Sequence, residues 1–239
     1  MYYGYGGMGY YSSMIVLIPA MIFTMIVQAR IKSAYSNYSQ VENSHRITGA
    51  QAARMVLDAN GLQNVPVNIL SGASDLTNYY DPRSNSVNLS GAVYRTDSVA
   101  SICIACHEVG HAIQHATGYV PVKVRNSIVP LVNFTSNLAW PLIILGLVIS
   151  TGYTYGSMLF NLGVLCFVVV VLFHLVTLPV EFNASSRALK QMRSLQIVND
   201  ADYSGSKRVL HAAAMTYVAS LAAAVASLLR ILLLRGNRN

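Results

Sequence analysis

The sequence predicts a mainly α-helical, multi-pass membrane protein that carries one small α+β domain outside the bilayer. Three observations lead there. Of the 239 residues, 54% are hydrophobic and only 10% are charged, whereas a soluble domain carries about 25% charged residues. Apolar runs of roughly 20 residues, the length that crosses a bilayer, recur along the chain with Lys or Arg at their ends. Between the first and second of these runs lies a polar section, residues 30–130, that holds eight of the sixteen Lys and Arg.

The first apolar run extends from Tyr10 to Ala29, after an uncharged Gly/Tyr-rich tail and before Arg30 and Lys32. A cleavable signal peptide would carry positive charge before the apolar core and small residues at a cleavage site after it, and neither is present. Residues 1–29 therefore read as a tail and first transmembrane helix, with Arg30 and Lys32 in the cytosol.

In the polar section, Ile47–Leu62 reads as a short helix with Thr48 as its cap and Gly61 as its stop. Val65–Leu70 reads as a strand. Leu76–Tyr80 and Ser86–Ser90 read as two more, joined by a turn over Asp81–Asn85. Asp97 or Ser98 is placed to cap a helix reaching about Thr117.

Two further spans follow, at about Leu131–Ser150 and Met158–Val180, giving a transmembrane hairpin over residues 131–180. Its link, Thr151–Ser157, is uncharged. Lys123 and Arg125 precede the pair, and Arg187, Lys190 and Arg193 follow it, so both outer ends belong in the cytosol. Pro179 favours a fresh helix start, which makes 181–207 a separate cytosolic helix. The last run, about Val209 to Leu234 within 208–239, is ambiguous because basic residues flank it on both sides. It reads as a fourth span, with a helix packed into the cytosolic domain as the alternative.

The net charge of +7 is spread thinly beside apolar runs and forms no basic stripe with interleaved aromatics, so it speaks for membrane orientation and against nucleic acid. Three cysteines, one of them in an apolar run, argue against a disulfide framework.

The chemistry concentrates in CHEVGHAIQHATG. His107 and His111 are four residues apart, so a helix stacks them about 40° from one another around its axis, and both imidazoles can hold one Zn²⁺. Zinc brings the pKa of a bound water from about 15.7 towards about 7. Glu108 is placed to take that proton and to relay it to a leaving amine. With six His and three Glu in the chain, the chance expectation for this pattern is on the order of 0.002, so it calls for a reason. The plain alternative is a helix with polar positions packed against loops. Gly110 favours the chemical reading, because a small residue there lets another segment approach.

Two histidines leave the metal one protein ligand short. His115 lies about 12 Å along the axis from His107, too far for one metal on a straight helix. Glu181, at the end of the third span, is the candidate third ligand; its alternative is an acid in a first helical turn. Asp200 and Asp202 read as part of a plain turn. Cys103-Ile-Ala-Cys106-His107 also matches the attachment pattern of c-type haem, but two small thiols on a buried helix face are the preferred reading.

At HEVGHAIQH, LTNYYDPRSNSVNLS and LPVEFNASSRALKQM the chain resembles the bacterial membrane zinc peptidases of the YugP type. More distantly it resembles the HtpX and CaaX-prenyl-protease superfamily. The closer likeness covers about residues 10–235. It implies a zincin-like domain of the gluzincin kind, with His107, His111 and Glu181 as zinc ligands and Glu108 as catalytic base. It also implies that a strand near the Tyr80–Ser90 hairpin binds an extended peptide by strand addition. The superfamily usually has an aspartate four residues after the third ligand; here that position is Ser185, so the metal histidines need another orienting partner. Arg187, His211 and Tyr217 are candidates for stabilising the oxyanion.

The resulting expectation is a zinc-dependent endopeptidase of the bacterial cell membrane, acting on the cytosolic side upon membrane-associated or misfolded proteins. Its partners would be a peptide or membrane-protein substrate and the lipid bilayer. The alternative is a non-catalytic membrane metal-binding or scaffold protein.

Overall fold

A computed structural model describes residues 13–70, 72, 77–149 and 154–236. The tail and start of the first run, Leu76 at the head of an expected strand, and residues 150–153, which include the first three of the expected link, lie outside the described residues. The elements are α1 (Leu17–Tyr38), α2 (Gly49–Ala59), β1 (Val67–Leu70), β2 (Tyr79–Asp81), β3 (Ser86–Ser90), α3 (Gly91–Arg95), α4 (Val99–Ala116), α5 (Val120–Ile149), α6 (Thr154–Ser194) and α7 (Asp200–Gly236). Among the described residues, four helices are long and apolar enough to cross a membrane, and they contain α1, α5, α6 and α7. The last apolar run thus forms a helix of spanning length.

The chain divides into two compact units. One draws on residues up to Ile26, on Lys123–Leu178 and on residues from Tyr217 onward. It is built from the apolar helical stretches, with a small buried cluster around Ala139, Ile143, Phe160, Phe167 and Ile231. Gly146 and Gly163 admit the α5–α6 contact there: a Cβ on Gly146 would meet the Phe160 backbone N at 2.5 Å, and one on Gly163 would meet the Ile143 backbone N at 2.8 Å.

The other unit comprises Val27–Val122 and Pro179–Thr216. Its core gathers Val56, Leu57, Val87, Leu89, Ile102 and Met192, all buried. The helix α2 starts where its residues dictate. Thr48 accepts from the Gln51 N–H while the Gln51 side chain accepts from the Thr48 N–H, a reciprocal cap whose loss costs about 1 kcal/mol. It stops beside Gly61, whose φ of +73° suits a residue without Cβ. The sheet has the order β1-β3-β2. β1 runs parallel to β3, with Val67 opposite Val87, and β2 runs antiparallel to it, with Tyr80 opposite Val87. Asp81 forms the turn by accepting from the Arg83 N–H and from the Ser84 hydroxyl, and Asn85 takes the left-handed conformation at φ +49°, which Asn tolerates.

Four differences from the sequence expectations have physical causes. The first helix continues through Arg30 and Lys32 to Tyr38, because Ala34 and Tyr38 pack against the core of the second unit. A short helix, α3, follows β3 with Ser90 as its cap. Pro179 starts no new helix: α6 runs unbroken from Thr154 to Ser194 with the proline inside it. Proline forfeits one backbone bond, but burial of Val180, Ala184, Ala188 and Met192 beyond it favours continuing. Asp200 and Asp202 belong to the first turn of α7, where Asn199 accepts from the Asp202 N–H. Asp202 is buried and accepts from both the Ser44 N–H and the Ser44 hydroxyl.

Candidate metal centre

The helix α4 begins at Ser98, whose side chain accepts from the Ser101 N–H, and ends at Thr117. Its apolar positions Ile102, Cys106, Val109 and Ile113 enter the core, which leaves His107 and His111 together on an adjoining face. Their rings stand edge to face with centroids 4.8 Å apart. The face meets α6. His107 contacts Ser185, His111 contacts Glu181, and Gln114 contacts Val180, so the two helices pass antiparallel. Gly110 sets the closeness of this passage, since a Cβ there would lie 2.6 Å from the Ala184 carbonyl oxygen.

Glu181 Oε2 lies 3.4 Å from His107 Nε2 and 3.5 Å from His111 Nε2. The Glu181 side chain is 5% exposed and the two imidazoles are 15% and 17% exposed, so the group is recessed and its histidines remain reachable. Tetrahedral zinc with N and O ligands at about 2.0–2.2 Å spaces neighbouring ligand atoms by about 3.3–3.5 Å. The donor set and its spacing therefore fit zinc, and among the described residues these three form the group able to hold a metal.

Both imidazoles are supported from behind. Ser185 Oγ is 3.2 Å from His107 Nδ1, and Gln114 Oε1 is 3.0 Å from His111 Nδ1. A proton on each Nδ1 leaves each Nε2 lone pair facing Glu181, which is the tautomer a metal ligand needs. Gln114 is fully buried, and its amide N–H groups donate to the Val180 carbonyl at 2.8 Å and to Asn183 Oδ1 at 3.0 Å. Asn183 also accepts from Arg187 Nε at 2.7 Å. Burial pulls the His111 pKa down, but the hydrogen bond that the protonated ring donates to Glu181 and the charges of Glu108 and Glu181 outweigh it, so the net shift is upward.

Glu108 stands apart from the metal group. It is buried, and its Oε2 accepts from the Tyr80 N–H at 3.1 Å. Tyr80 belongs to β2, one of the two edge strands, and turns this N–H away from β3. Its hydroxyl donates to Asn85 Oδ1 at 2.7 Å and lies 2.8 Å from His115 Nδ1. Burial and then the Asp81 charge push the Tyr80 phenol up to about 12, so it stays a neutral hydrogen-bonding group. His115 thus braces the β2 hairpin and belongs to no metal group.

The cysteines of the overlapping haem pattern lie in the core. Cys103 and Cys106 are free and fully buried. Burial pushes the Cys106 thiol up to about 12, and burial with the neighbouring Cys106 raises Cys103 further. Both thiols thus pack as small apolar side chains of the buried α4 face.

Of the oxyanion candidates, Arg187 is engaged by Asn183, with its guanidinium 5.8 Å from the Tyr119 ring centroid. His211 is exposed and lines a groove on the Ser185 side of α6. Tyr217 begins the other compact unit. The residues that sequence reasoning missed are Gln114 and Asn183. A glutamine three positions after His111, on its face of a mostly apolar helix, was the available signal. Ser185 is itself the partner of His107, so the missing aspartate is replaced in place by a shorter, neutral acceptor.

Comparison with known proteins bears on this geometry. The family described as "Putative neutral zinc metallopeptidase" matches residues 13–236. The chain is 43% identical over 218 residues to a protein of Bacillus subtilis (strain 168) described as "Putative membrane protease YugP", covering 91% of this chain and 93% of that protein. No solved structure matches.

Proposed function

The chain belongs to this neutral zinc metallopeptidase family, and from that premise we propose that it is a membrane endopeptidase that cuts membrane-associated or misfolded proteins on the cytosolic side. The observation that carries the reading is the spacing of His107 Nε2, His111 Nε2 and Glu181 Oε2, with a carboxylate that is not part of the set, Glu108, next in sequence to one of them. When bound, zinc supplies Lewis-acid polarisation of the scissile carbonyl and acidifies the attacking water.

The residues of the chain do the rest. His107, His111 and Glu181 hold the metal, and Ser185 and Gln114 fix the imidazole tautomers. Glu108 takes a proton from the attacking water and returns it to the leaving amine. The Tyr80 N–H, 3.1 Å from Glu108 Oε2, keeps that carboxylate aimed while the base is unprotonated. The cytosolic side follows from Arg30, Lys32, Lys123 and Arg125, which flank the apolar helices next to the polar section. The membrane-associated substrate class is supported by Glu181, which lies on α6, a helix that includes an apolar stretch of spanning length.

The test is metal content beside hydrolysis of a generic unfolded polypeptide by the full chain in detergent. Glu108→Gln is expected to keep zinc and lose hydrolysis by at least about 10²-fold. Zinc without turnover in the wild-type protein would favour the non-catalytic metal-binding reading and overturn this one.

A further inference from the structure

A groove of about 620 Å³ lies between α6 and α7 in the second unit. It belongs to neither the metal group nor β2, although Ser185 lines it. The two helices form a hairpin, since α6 ends at Ser194 and α7 begins at Asp200. Towards the tip of the hairpin the groove carries Lys190 and Arg193 from α6 and Lys207 from α7. Towards the other end it is floored by Phe182, Leu210 and Ala214.

We propose that this groove binds an anionic bilayer lipid, with the phosphate at Lys190, Arg193 and Lys207 and the upper acyl segment against Phe182, Leu210 and Ala214. Three cations from two helices converge on one groove. Charges that merely orient a membrane protein need only lie on one side of the bilayer, and nothing in that requirement brings them together. Acid does little to neutralise them. Asp200 approaches Arg193 at 3.8 Å, but the two side chains are 99% and 66% exposed, a setting in which an ion pair is weak. Asp202 is turned to Ser44. The Arg193 guanidinium also lies 5.0 Å from the Tyr203 ring centroid, which holds it at the groove.

The apolar half of the groove selects the source of the phosphate. A free inorganic anion would leave Phe182, Leu210 and Ala214 unused. Phe182, Leu210 and Ala214 give an acyl segment an apolar floor within the same groove as the three cations. A lipid held there would brace the hairpin that carries Glu181 and Ser185.

The experiment uses the full chain in detergent and counts retained lipid by native mass spectrometry, offering phosphatidylglycerol and phosphatidylcholine with identical acyl chains. Each basic group near a membrane surface favours an anionic lipid by about fivefold at low salt, so a preference of at least about tenfold is expected, weakening as ionic strength rises. The triple variant Lys190→Gln/Arg193→Gln/Lys207→Gln should lose the preference. Arg46→Gln/Arg83→Gln/Arg95→Gln, which removes as much charge elsewhere, should keep it. Ser186→Glu introduces an acid at an exposed groove position without altering the cations, and should weaken binding if the triple variant folds poorly. A preference that survives both groove variants overturns the proposal. So does displacement of the lipid by inorganic phosphate alone, which would make the ligand a free anion, or capture of an acidic peptide in place of any lipid.

Discussion

Gly110→Ala is a one-carbon change that should disable the metal centre from its rear. The added Cβ would sit 2.6 Å from the Ala184 carbonyl oxygen, 3.1 Å from its carbon and 3.2 Å from its Cα. Carbon and carbonyl oxygen settle at about 3.3 Å or more, so α4 and α6 must part locally by about 0.7 Å. The atoms met are backbone, so no rotamer change relieves the contact. A zinc site tolerates about 0.2 Å in its ligand distances, and the two sides of this site sit on the two helices being pushed apart. Zinc affinity should fall by about tenfold to a hundredfold or more, the range seen when ligand support is lost. The metal-free fold should change much less. Overpacking costs about 1–3 kcal/mol, and alanine regains about 1 kcal/mol of helix propensity over glycine. The assay is zinc Kd by competition with a calibrated chelator, beside the thermal midpoint of the metal-free protein in the same detergent. Gly91→Ala is the control, since nothing lies within 4 Å of a Cβ there. Wild-type zinc affinity in Gly110→Ala would refute the idea that close passage of the helices sets the ligand geometry.

Three further outcomes follow from the same arrangement. Glu181→Ala should remove most bound zinc, measured as metal stoichiometry after gel filtration, whereas Asp200→Ala and His115→Ala should leave it nearly intact; the reverse pattern would displace Glu181 as third ligand. Gln114→Ala should raise zinc Kd by about tenfold to a hundredfold with His107, His111 and Glu181 all present, because His111 loses the acceptor that fixes its tautomer; an unchanged Kd would make Gln114 a packing residue only. An added cysteine at Met1 should react with an impermeant thiol reagent on intact cells, and Arg83→Cys, in the exposed turn after β2, should not. The native thiols are buried and give little background, and labelling at Arg83→Cys would put the catalytic helix outside.

The sequence by itself determined what depends on local periodicity and composition. Low charge and long apolar runs define a multi-pass helical membrane protein, because hydrocarbon tolerates little else. Thr48, Ser98 and Gly61 mark helix ends through bonds or dihedrals made within a few residues. The four-residue spacing of His107 and His111 puts both imidazoles on one helical face whatever the rest of the chain does. Tertiary structure decided what depends on contact between distant segments. Glu181 faces the histidines because Gly110 lets α6 approach at Ala184. Ser185 and Gln114 become imidazole supports because antiparallel passage brings them to the two Nδ1 atoms. Pro179 illustrates the limit most clearly: its local preference favours a break, yet burial of the residues beyond it keeps α6 whole. Helical pattern is a property of neighbours along the chain, whereas ligand number, tautomer and helix continuity are settled by packing across it.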